Sequence, residues 1–325
     1  MRFIFALISF CLLGTFTMAH AQCVGCHDKL TWAPPVLDNP QTITIQSDPT
    51  TAQNINLDDD KDYIIDLPDN QIVETKGLHF RGGRNVQVIG GHIKAMVPAE
   101  HRIRAALRFS GTVKSVYVEG LLIDTNSQLG LDGLLAGGVM HKPGICADVY
   151  IQNTHIKNMV STYQDRFHAD GFQYYGCTEN TRMDRVSIRS QYQGVFLSPQ
   201  HDISSIDMRR VDLDYSDPNN GTGYALFIRN RSNGRRPAVN LENIYVGPRV
   251  TTYTSPREED WERYAIHPPS HRPNGGVRVG NVVTFPDYPE ITGEVRLGPL
   301  AEPFAPETVV GLNYVSPGYI GVPSQ

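Results

Sequence analysis

A short apolar pattern recurs along the middle of the chain. Each copy contains two apolar residues separated by one position. A small or turn-forming residue comes two positions after the second of them, and another apolar residue comes three positions later. Alternation over so few residues predicts a β-strand, and Gly, Asn or Ser in the third slot suits a tight bend. Six copies begin at Val86, Val116, Val149, Val186, Ile206 and Val239, and a weaker seventh begins at Val277.

A second predicted strand precedes many of these copies. Its inward-facing pairs are Leu78 and Phe80, Leu107 and Phe109, Phe172 and Tyr174, Val195 and Leu197, and Leu226 and Ile228. No single copy buries its own apolar face, so the repeats must stack. The pattern predicts an all-β fold, a single-domain parallel β-helix. A β-sandwich is the alternative, and it requires hairpin signals such as Asn-Gly between adjacent strands.

The strand pairs, the rung spacing and the opening coil GLHFRGGRNVQVIGGHIKA, residues 77–95, resemble the pectin-lyase-like superfamily. The resemblance covers residues 40–285 and implies a single-stranded right-handed parallel β-helix, a solenoid. That superfamily contains polysaccharide lyases, glycoside hydrolases, esterases, epimerases and non-catalytic adhesins. The fold therefore leaves the activity open.

The first 21 residues have the pattern of a secretory signal. Arg2 precedes a short apolar run, residues 3–13, and Ala19-His20-Ala21 fits a cleavage site. A membrane anchor is the alternative, but the run is shorter than the ~20 residues that span a bilayer. We expect a secreted or periplasmic protein with no membrane span after cleavage.

The exported chain divides into three further parts. Residues 22–40 form an N-terminal Cys-x-x-Cys-His segment, residues 41–285 the β-helix, and residues 286–325 a Pro- and Gly-rich extension packed on the helix. The first strands are expected near residues 42–45 and 63–65. This region is the candidate cap for the open N-terminal end of the stack.

Four cysteines remain after signal cleavage, an even number in a compartment that permits disulfides. Cys146 and Cys177 lie on adjacent predicted coils, which favours a disulfide between them. The sequence Cys23-Val24-Gly25-Cys26-His27 has the form that attaches haem c. Haem needs an enclosing helical domain, however, and strands follow soon after. A disulfide between Cys23 and Cys26, or a loose metal site with His27, is the plainer interpretation.

The composition and charge of the chain exclude several classes of protein. The 325 residues are 40% hydrophobic and 19% charged, with a net charge of −5 and a mean hydropathy of −0.30. These values exclude a multi-span membrane protein and a disordered chain. They offer no basic excess for nucleic-acid binding.

The outward residues of the second strand form two predicted ladders. Arginine binds carboxylates in bidentate fashion and aromatic faces stack on sugar rings, so a groove of this composition suits an acidic polysaccharide. Ordinary solvated side chains on a sheet are the alternative. One ladder comprises His79, Arg108, Gln173, Phe196 and Phe227, and its neighbour comprises Arg81, Ser110, Tyr175, Ser198 and Arg229.

The segment RFHADGFQ, residues 166–173, is the most distinctive local feature. Gly171 permits a bend into the strand, which places His168 and Asp170 at its start and Gln173 on its face. The resemblance implies a catalytic edge here, since some hydrolases of the superfamily carry carboxylates at this edge. The alternative is a turn in which Asp170 caps backbone N–H groups and His168 packs on the next coil.

The reaction depends on carboxylates. Glycoside hydrolysis needs two of them, about 5–9.5 Å apart, and Gln193 occupies the place expected for a partner of Asp170. β-Elimination from a uronic acid needs instead a cation, a base and an acid. We favour His168 or Lys142 as the base and Arg229 as the carboxylate clamp. The wider set of candidates for these roles adds Arg108, Tyr163 and Tyr175.

Calcium is the candidate metal, because the resemblance implies that it can neutralise the substrate carboxylate. Two acidic clusters offer oxygen ligands, although solvated acidic loops are the alternative. They are Asp212, Asp214 and Asp217, and Asp58, Asp59, Asp60 and Asp62.

The sequence therefore predicts an exported β-helix protein that acts on an acidic polysaccharide as a lyase. A glycoside hydrolase of the same fold, a non-catalytic carbohydrate-binding or surface protein, and a haem-bearing redox protein are the alternatives.

Overall fold

A computed structural model describes residues 27–96, 105–137, 146–161, 168–174, 177–197, 204–215, 223–228, 237–247, 266–267 and 276–322. Every regular element within these ranges is a β-strand. In chain order the strands are β1 Gln41–Thr44, β2 Gln53–Leu57, β3 Asp62–Asp66, β4 Val73–Thr75, β5 Leu78–Gly82, β6 Asn85–Ile89, β7 His92–Ala95, β8 Ala105–Ser110, β9 Ser115–Glu119, β10 Leu122–Asp124, β11 Asp132–Gly137, β12 Ala147–Met159, β13 Asp170–Gln173, β14 Thr178–Ser190, β15 Gln193–Leu197, β16 Ser205–Tyr215, β17 Leu226–Ile228, β18 Ala238–Val246, β19 Ile266–His267, β20 Val277–Val279, β21 Val282–Thr284 and β22 Ile291–Leu297.

The strands form two sheets, and the chain passes repeatedly from one to the other. The larger sheet has fourteen strands along the path β1-β3-β6-β9-β12-β14-β16-β18-β22-β21-β20, with β4, β7 and β10 beside it. The smaller sheet has eight strands, in the order β19-β17-β15-β13-β11-β8-β5-β2. Neighbouring strands are parallel except in the final pairs β20–β21 and β21–β22. The all-β, parallel prediction is confirmed. Among the described strands, the antiparallel pairing that hairpins of a sandwich require occurs only in β20–β22.

The larger sheet contains long strands that turn at left-handed residues. Asn153 and Asn243 have φ angles of 44° and 56°, within β12 and β18. Gly90 and Gly120 occupy the same place between shorter strands, after β6 and β9. Asn and Gly adopt this conformation more readily than other residues do, which explains why the third slot of the repeat was readable from sequence.

The predicted fourth copy of the repeat is out of register. Val186 pairs with Thr154 and not with Val149, whose partner is Thr181. The bend in β14 falls at Arg185, with φ 55°, and not at Ser190. Arginine seldom adopts positive φ, so sequence alone favours the serine.

The predicted seventh copy is also wrong. Val277 and Val279 lie in β20, an exposed strand antiparallel to β21. The strand that continues the parallel stack is β22, where Ile291 pairs with Val239 of β18. The glycine at position 293 removes the alternating apolar residue that would have marked this strand.

The predicted inward pairs of the smaller sheet are buried and stacked. Leu78 pairs with Leu107, and Phe80 pairs with Phe109 at a ring-centroid distance of 5.3 Å. The structure adds one rung that the sequence analysis missed, β11, where Leu134 pairs with both Leu107 and Phe172. Inward residues of both sheets form one continuous apolar core.

Two chain segments cover the outer face of the larger sheet. Residues 27–40 cross this face before β1, and residues 299–322 cross it after β22. Leu30 and Tyr319 form a bridge between them. The fully buried Glu119 accepts hydrogen bonds from Tyr314 at 2.8 Å, Tyr319 at 2.9 Å and Tyr117 of its own strand at 2.5 Å. Residues 299–322 are thus fastened to the sheet at one carboxylate.

A second buried carboxylate holds the beginning of the N-terminal segment. Asp184 accepts hydrogen bonds from the backbone N and the Oγ1 of Thr31, both at 2.8 Å. Arg210 donates to the same carboxylate through Nε at 2.7 Å and Nη2 at 2.5 Å. Charge-assisted bonds of this kind offset the desolvation of a buried charge.

The predicted disulfide between Cys146 and Cys177 is confirmed. It joins the starts of β12 and β14 across a sequence separation of 31 residues. Within the part of the chain that is described, there is no helix long and apolar enough to cross a membrane.

Candidate functional site

One continuous ladder of side chains runs along the outward side of the smaller sheet. The strand register places in line five predicted residues, together with Asn54, Leu135 and His267. The five predicted residues in the ladder are His79, Arg108, Gln173, Phe196 and Phe227. The neighbouring ladder is described at Arg81, which pairs with Ser110.

The N-terminal end of this face is cationic around a buried imidazole. His79 is only 4% exposed, and its Nε2 lies 2.8 Å from Ser110 Oγ. Its Nδ1 lies 3.3 Å from Asn54 Oδ1 and accepts a bond from Arg81 Nε at 3.3 Å. Burial and the charges of Arg108 and Arg81 lower the pKa of His79 to about 4. The imidazole is therefore neutral at physiological pH, beside two guanidinium groups.

The C-terminal end of the face is aromatic. Phe196 and Phe227 lie with ring centroids 5.0 Å apart, and His267 lies 4.4 Å from Phe227. Tyr224 packs 5.3 Å from both Phe227 and His267. All four side chains are half-buried, so ring surface remains accessible.

Asp170 is the first residue of β13, a central strand of the same sheet. It is 2% exposed, and its Oδ1 accepts no hydrogen bond from any described residue. Gly171 follows it because a side chain would not fit there. A Cβ at this position would lie 2.3 Å from Ile188 Cγ2 and 2.4 Å from the carbonyl oxygen of Gly194.

A carboxylate partner for Asp170 lies on the preceding rung. Asp132 begins β11, is 5% exposed, and accepts a bond from the backbone N of Asp170 at 2.8 Å. Burial and the charge of Asp132 raise the pKa of Asp170 well above its usual value. Two adjacent carboxyl groups with so little solvent do not ionise together readily, which favours the protonated form of Asp170.

Neither Asp132 nor the strand β11 that it begins is among the predictions from the sequence. On the following rung Gln193 does pair with Asp170, as expected. The available signal was the shared dipeptide Asp-Gly, since Asp132-Gly133 and Asp170-Gly171 both open a strand of the smaller sheet.

His168 lies exposed, two residues before Asp170. Its ring stacks on Tyr192 with centroids 4.6 Å apart and an interplanar angle of 15°. Gln173 is in the predicted ladder but is 5% exposed, so it is buried on the face and not projected into solvent. Four other candidates, Lys142, Tyr163, Tyr175 and Arg229, lie outside the described residues.

The structure thus brings the candidates together in two groups. His79, Arg81 and Arg108 share the N-terminal end of the face, and Asp170 joins Asp132 near its middle. The first group is suited to binding an anion, because guanidinium groups recognise carboxylates. The second is suited to donating a proton, because the raised pKa of Asp170 favours its protonated form.

The acidic clusters that sequence analysis assigned to calcium serve other contacts. Asp212 accepts bonds from Ser187 Oγ at 2.6 Å and Phe304 N at 2.9 Å, and Arg189 pairs with both Asp212 and Asp214. Asp62 binds Arg84 Nε at 2.7 Å.

In the other cluster Asp58 pairs with Lys61, while Asp59 and Asp60 are exposed. No group of three or more metal-binding side chains occurs in the described ranges. The residues described there do not fit a calcium site, and Asp217 lies outside them.

The Cys-x-x-Cys-His motif is described only at His27, which is exposed at the start of the N-terminal segment. Cys23 and Cys26 lie outside the described residues. The segment that follows is held in extended form across the larger sheet, with Trp32 N bound to Gln152 Oε1 at 3.1 Å. The helical surroundings that haem c requires do not follow the motif.

Comparison of the chain with protein-family models, with curated proteins and with solved structures finds no match.

Proposed function

We propose that this chain folds as a right-handed parallel β-helix related to the pectin-lyase-like superfamily and is exported. Three observations support the β-helix. The chain alternates between two sheets whose strands are mostly parallel. Left-handed residues turn the chain, and the inward residues of both sheets form one core. The Cys146–Cys177 disulfide is typical of an oxidising compartment, which supports export.

We propose further that it binds an acidic polysaccharide along the outward face of the smaller sheet and cleaves it as a lyase. The observation that carries this proposal is the cationic group His79, Arg81 and Arg108 at one end of a face that continues into aromatic rings. Guanidinium groups bind uronate carboxylates. The positive charge of the group comes from Arg81 and Arg108, because His79 is neutral at physiological pH.

The elimination requires three roles. A base removes the proton α to the carboxylate, a clamp stabilises the charge that develops there, and an acid protonates the leaving glycosidic oxygen as its C–O bond breaks and a C=C bond forms. His168 or Lys142 is the proposed base and Arg229 the clamp. Asp170, protonated beside Asp132, is the proposed acid. Gln173 and Tyr175 complete the proposed substrate-binding set.

A specific observation favours hydrolysis as a second candidate. The pairing of Asp170 with Asp132 supplies the two carboxyl groups that the sequence alone did not bring together. In hydrolysis, Asp170 donates its proton to the leaving oxygen while Asp132 activates water or attacks the sugar. The two reactions leave different products and are separable by experiment.

The test is incubation of the mature protein with polyuronates and glycosaminoglycans, with and without calcium. Elimination creates an unsaturated sugar end that absorbs ultraviolet light. We expect absorbance to rise with wild type and to fall at least tenfold with Asp170→Asn. Arg108→Gln is expected to weaken binding about tenfold, the loss of one charge-assisted contact, while Arg278→Gln on the exposed β20 leaves it unchanged.

Each other outcome decides between the alternatives. New reducing ends without absorbance overturn elimination and establish hydrolysis. Binding that depends on Arg108, with no product from any polymer, establishes a non-catalytic carbohydrate-binding protein. Binding to none of the anionic polymers overturns the proposed substrate class.

A further inference from the structure

The aromatic end of the smaller sheet differs in chemistry from the rest of the face. Phe196, Phe227 and His267 occupy consecutive rungs of one ladder, and Tyr224 flanks the last two. Among the described residues of β15, β17 and β19 there is no Asp, Glu, Lys or Arg. The described part of this surface is therefore aromatic, whereas the N-terminal end carries the charges of Arg81 and Arg108.

The two ends lie on one face at a distance suited to a chain molecule. Arg108 lies in β8 and Phe227 in β17, and the sheet order β8-β11-β13-β15-β17 separates them by four strand spacings. At the usual spacing of parallel strands this is about 19 Å. The strand β13, which begins with Asp170, lies between them in the sheet order. A ligand that spans the proposed site must therefore contact both surfaces.

We propose that Phe196, Tyr224, Phe227 and His267 form a stacking subsite for a neutral pyranose, so that the preferred polymer contains both uronic acids and uncharged sugars. This inference rests on the proposed function. A pyranose presents an apolar C–H face that packs on an aromatic ring. A carboxylate does not favour that position, because the face of the ring carries negative charge.

Aromatic residues on adjacent strands also stabilise sheets, so the test must separate binding from packing. Phe227→Leu retains an apolar side chain in contact with Phe196 but removes the planar ring. Phe227→Tyr retains the ring. The pair therefore distinguishes a stacking surface from a merely apolar one.

The experiment measures dissociation constants of the mature protein by affinity electrophoresis with two probes. Gellan contains glucuronate and neutral sugars, whereas polygalacturonate contains uronate alone. We expect Phe227→Leu to weaken gellan binding about tenfold and polygalacturonate binding less than twofold, because one sugar–ring stack contributes about that much. Phe227→Tyr should bind both like wild type, and Arg108→Gln should weaken both.

Other results have distinct meanings. If Phe227→Leu affects neither probe, or both equally, while Arg108→Gln weakens both, the stacking subsite is overturned and the proposed function stands. If Arg108→Gln affects neither probe, the proposed anion-binding face is overturned. If wild type binds neither probe but binds another polyuronate or a glycosaminoglycan, the stacking subsite is overturned and the proposed function stands. If it binds none of these polymers, both proposals are overturned.

Discussion

At the scale of single residues, the Asp132–Asp170 pair is the least expected arrangement in the molecule. Carboxylates are rarely buried unless paired with a cation or with well-placed donors. Asp170 has almost no exposed surface, its Oδ1 accepts no bond from described residues, and its partner is another carboxyl group. Retention of a proton on Asp170 is the simplest way to keep this arrangement stable.

The retained proton makes stability depend on pH in a predictable direction. The pKa of Asp170 is raised by burial and by Asp132, so folding binds a proton that the unfolded chain releases near pH 3.9. Its contribution is complete below that value and is lost as pH rises through the folded pKa. Between the two values the loss is about 1.4 kcal/mol per pH unit. Asp170→Asn should therefore gain stability relative to wild type as pH rises.

Urea unfolding at pH 4, 5, 6 and 7 measures this difference. Asp60→Asn removes an exposed carboxylate and is the matched control. Asp132 titrates together with Asp170, so the difference measures the pair. A constant difference between Asp170→Asn and wild type across this range would show that Asp170 ionises normally.

At the scale of elements, sequence predicted what local periodicity encodes and missed what long-range contacts impose. The inward pairs such as Leu107 and Phe109 were readable because alternation is a local property. Arg185 was not, because its left-handed backbone is held by a contact distant in sequence, the bond from its guanidinium to the carbonyl oxygen of Asp28.

The same distinction explains the incomplete site. The strand β11 contains Leu134-Leu135-Ala136 and has no clear alternation of apolar and polar residues. Neither β11 nor its first residue, Asp132, could therefore be predicted from local periodicity. The ladder was otherwise predictable, since each recognised strand placed one outward residue in register. Partners of a site residue on a neighbouring rung can be found only when every rung has been found.

The Cys146–Cys177 disulfide allows a test at this scale. It ties β12 to β14, and the closed loop of 31 residues loses conformational entropy in the unfolded chain. That model gives about 3–4 kcal/mol for a loop of this length. We expect Cys146→Ser with Cys177→Ser to lower the free energy of unfolding by about this amount, measured by urea denaturation.

The reduced wild-type protein is the control for this prediction, since it lacks the bond but keeps both side chains. It should lose stability to the same extent as the double variant. A loss in the double variant alone would indicate packing of the sulfur atoms as the cause.

At the scale of the whole molecule, the two ends of the described chain are joined over the larger sheet. A parallel stack has open ends and an outer face that must be solvated or covered. Here residues 27–40 and 299–322 cover that face and pair with each other through Leu30 and Tyr319. The candidate site lies on the outer face of the smaller sheet, which is lined by the ladder of outward side chains. Composition cannot reveal this division, because it depends on which segment crosses which sheet.

Glu119 is the point where this arrangement is most sensitive. It is fully buried and accepts bonds from Tyr117, Tyr314 and Tyr319, so its loss removes the hydrogen-bond acceptor of one buried tyrosine and two half-buried ones. Each buried hydroxyl group without an acceptor destabilises by about 1–3 kcal/mol. We expect Glu119→Ala to lower the free energy of unfolding by about 3–5 kcal/mol and Glu119→Gln, which keeps one carbonyl acceptor, by less.

Urea unfolding measures the total, and hydrogen exchange of residues 299–322 locates the effect. Glu294→Ala is the control, since its partner Arg296 is exposed and such pairs contribute at most about 1 kcal/mol. Because Tyr314 and Tyr319 both belong to residues 299–322, faster exchange should appear in this segment and not in the strands of the smaller sheet. Uniform acceleration throughout the molecule would show that Glu119 acts on the stability of the whole stack and not on the attachment of this segment.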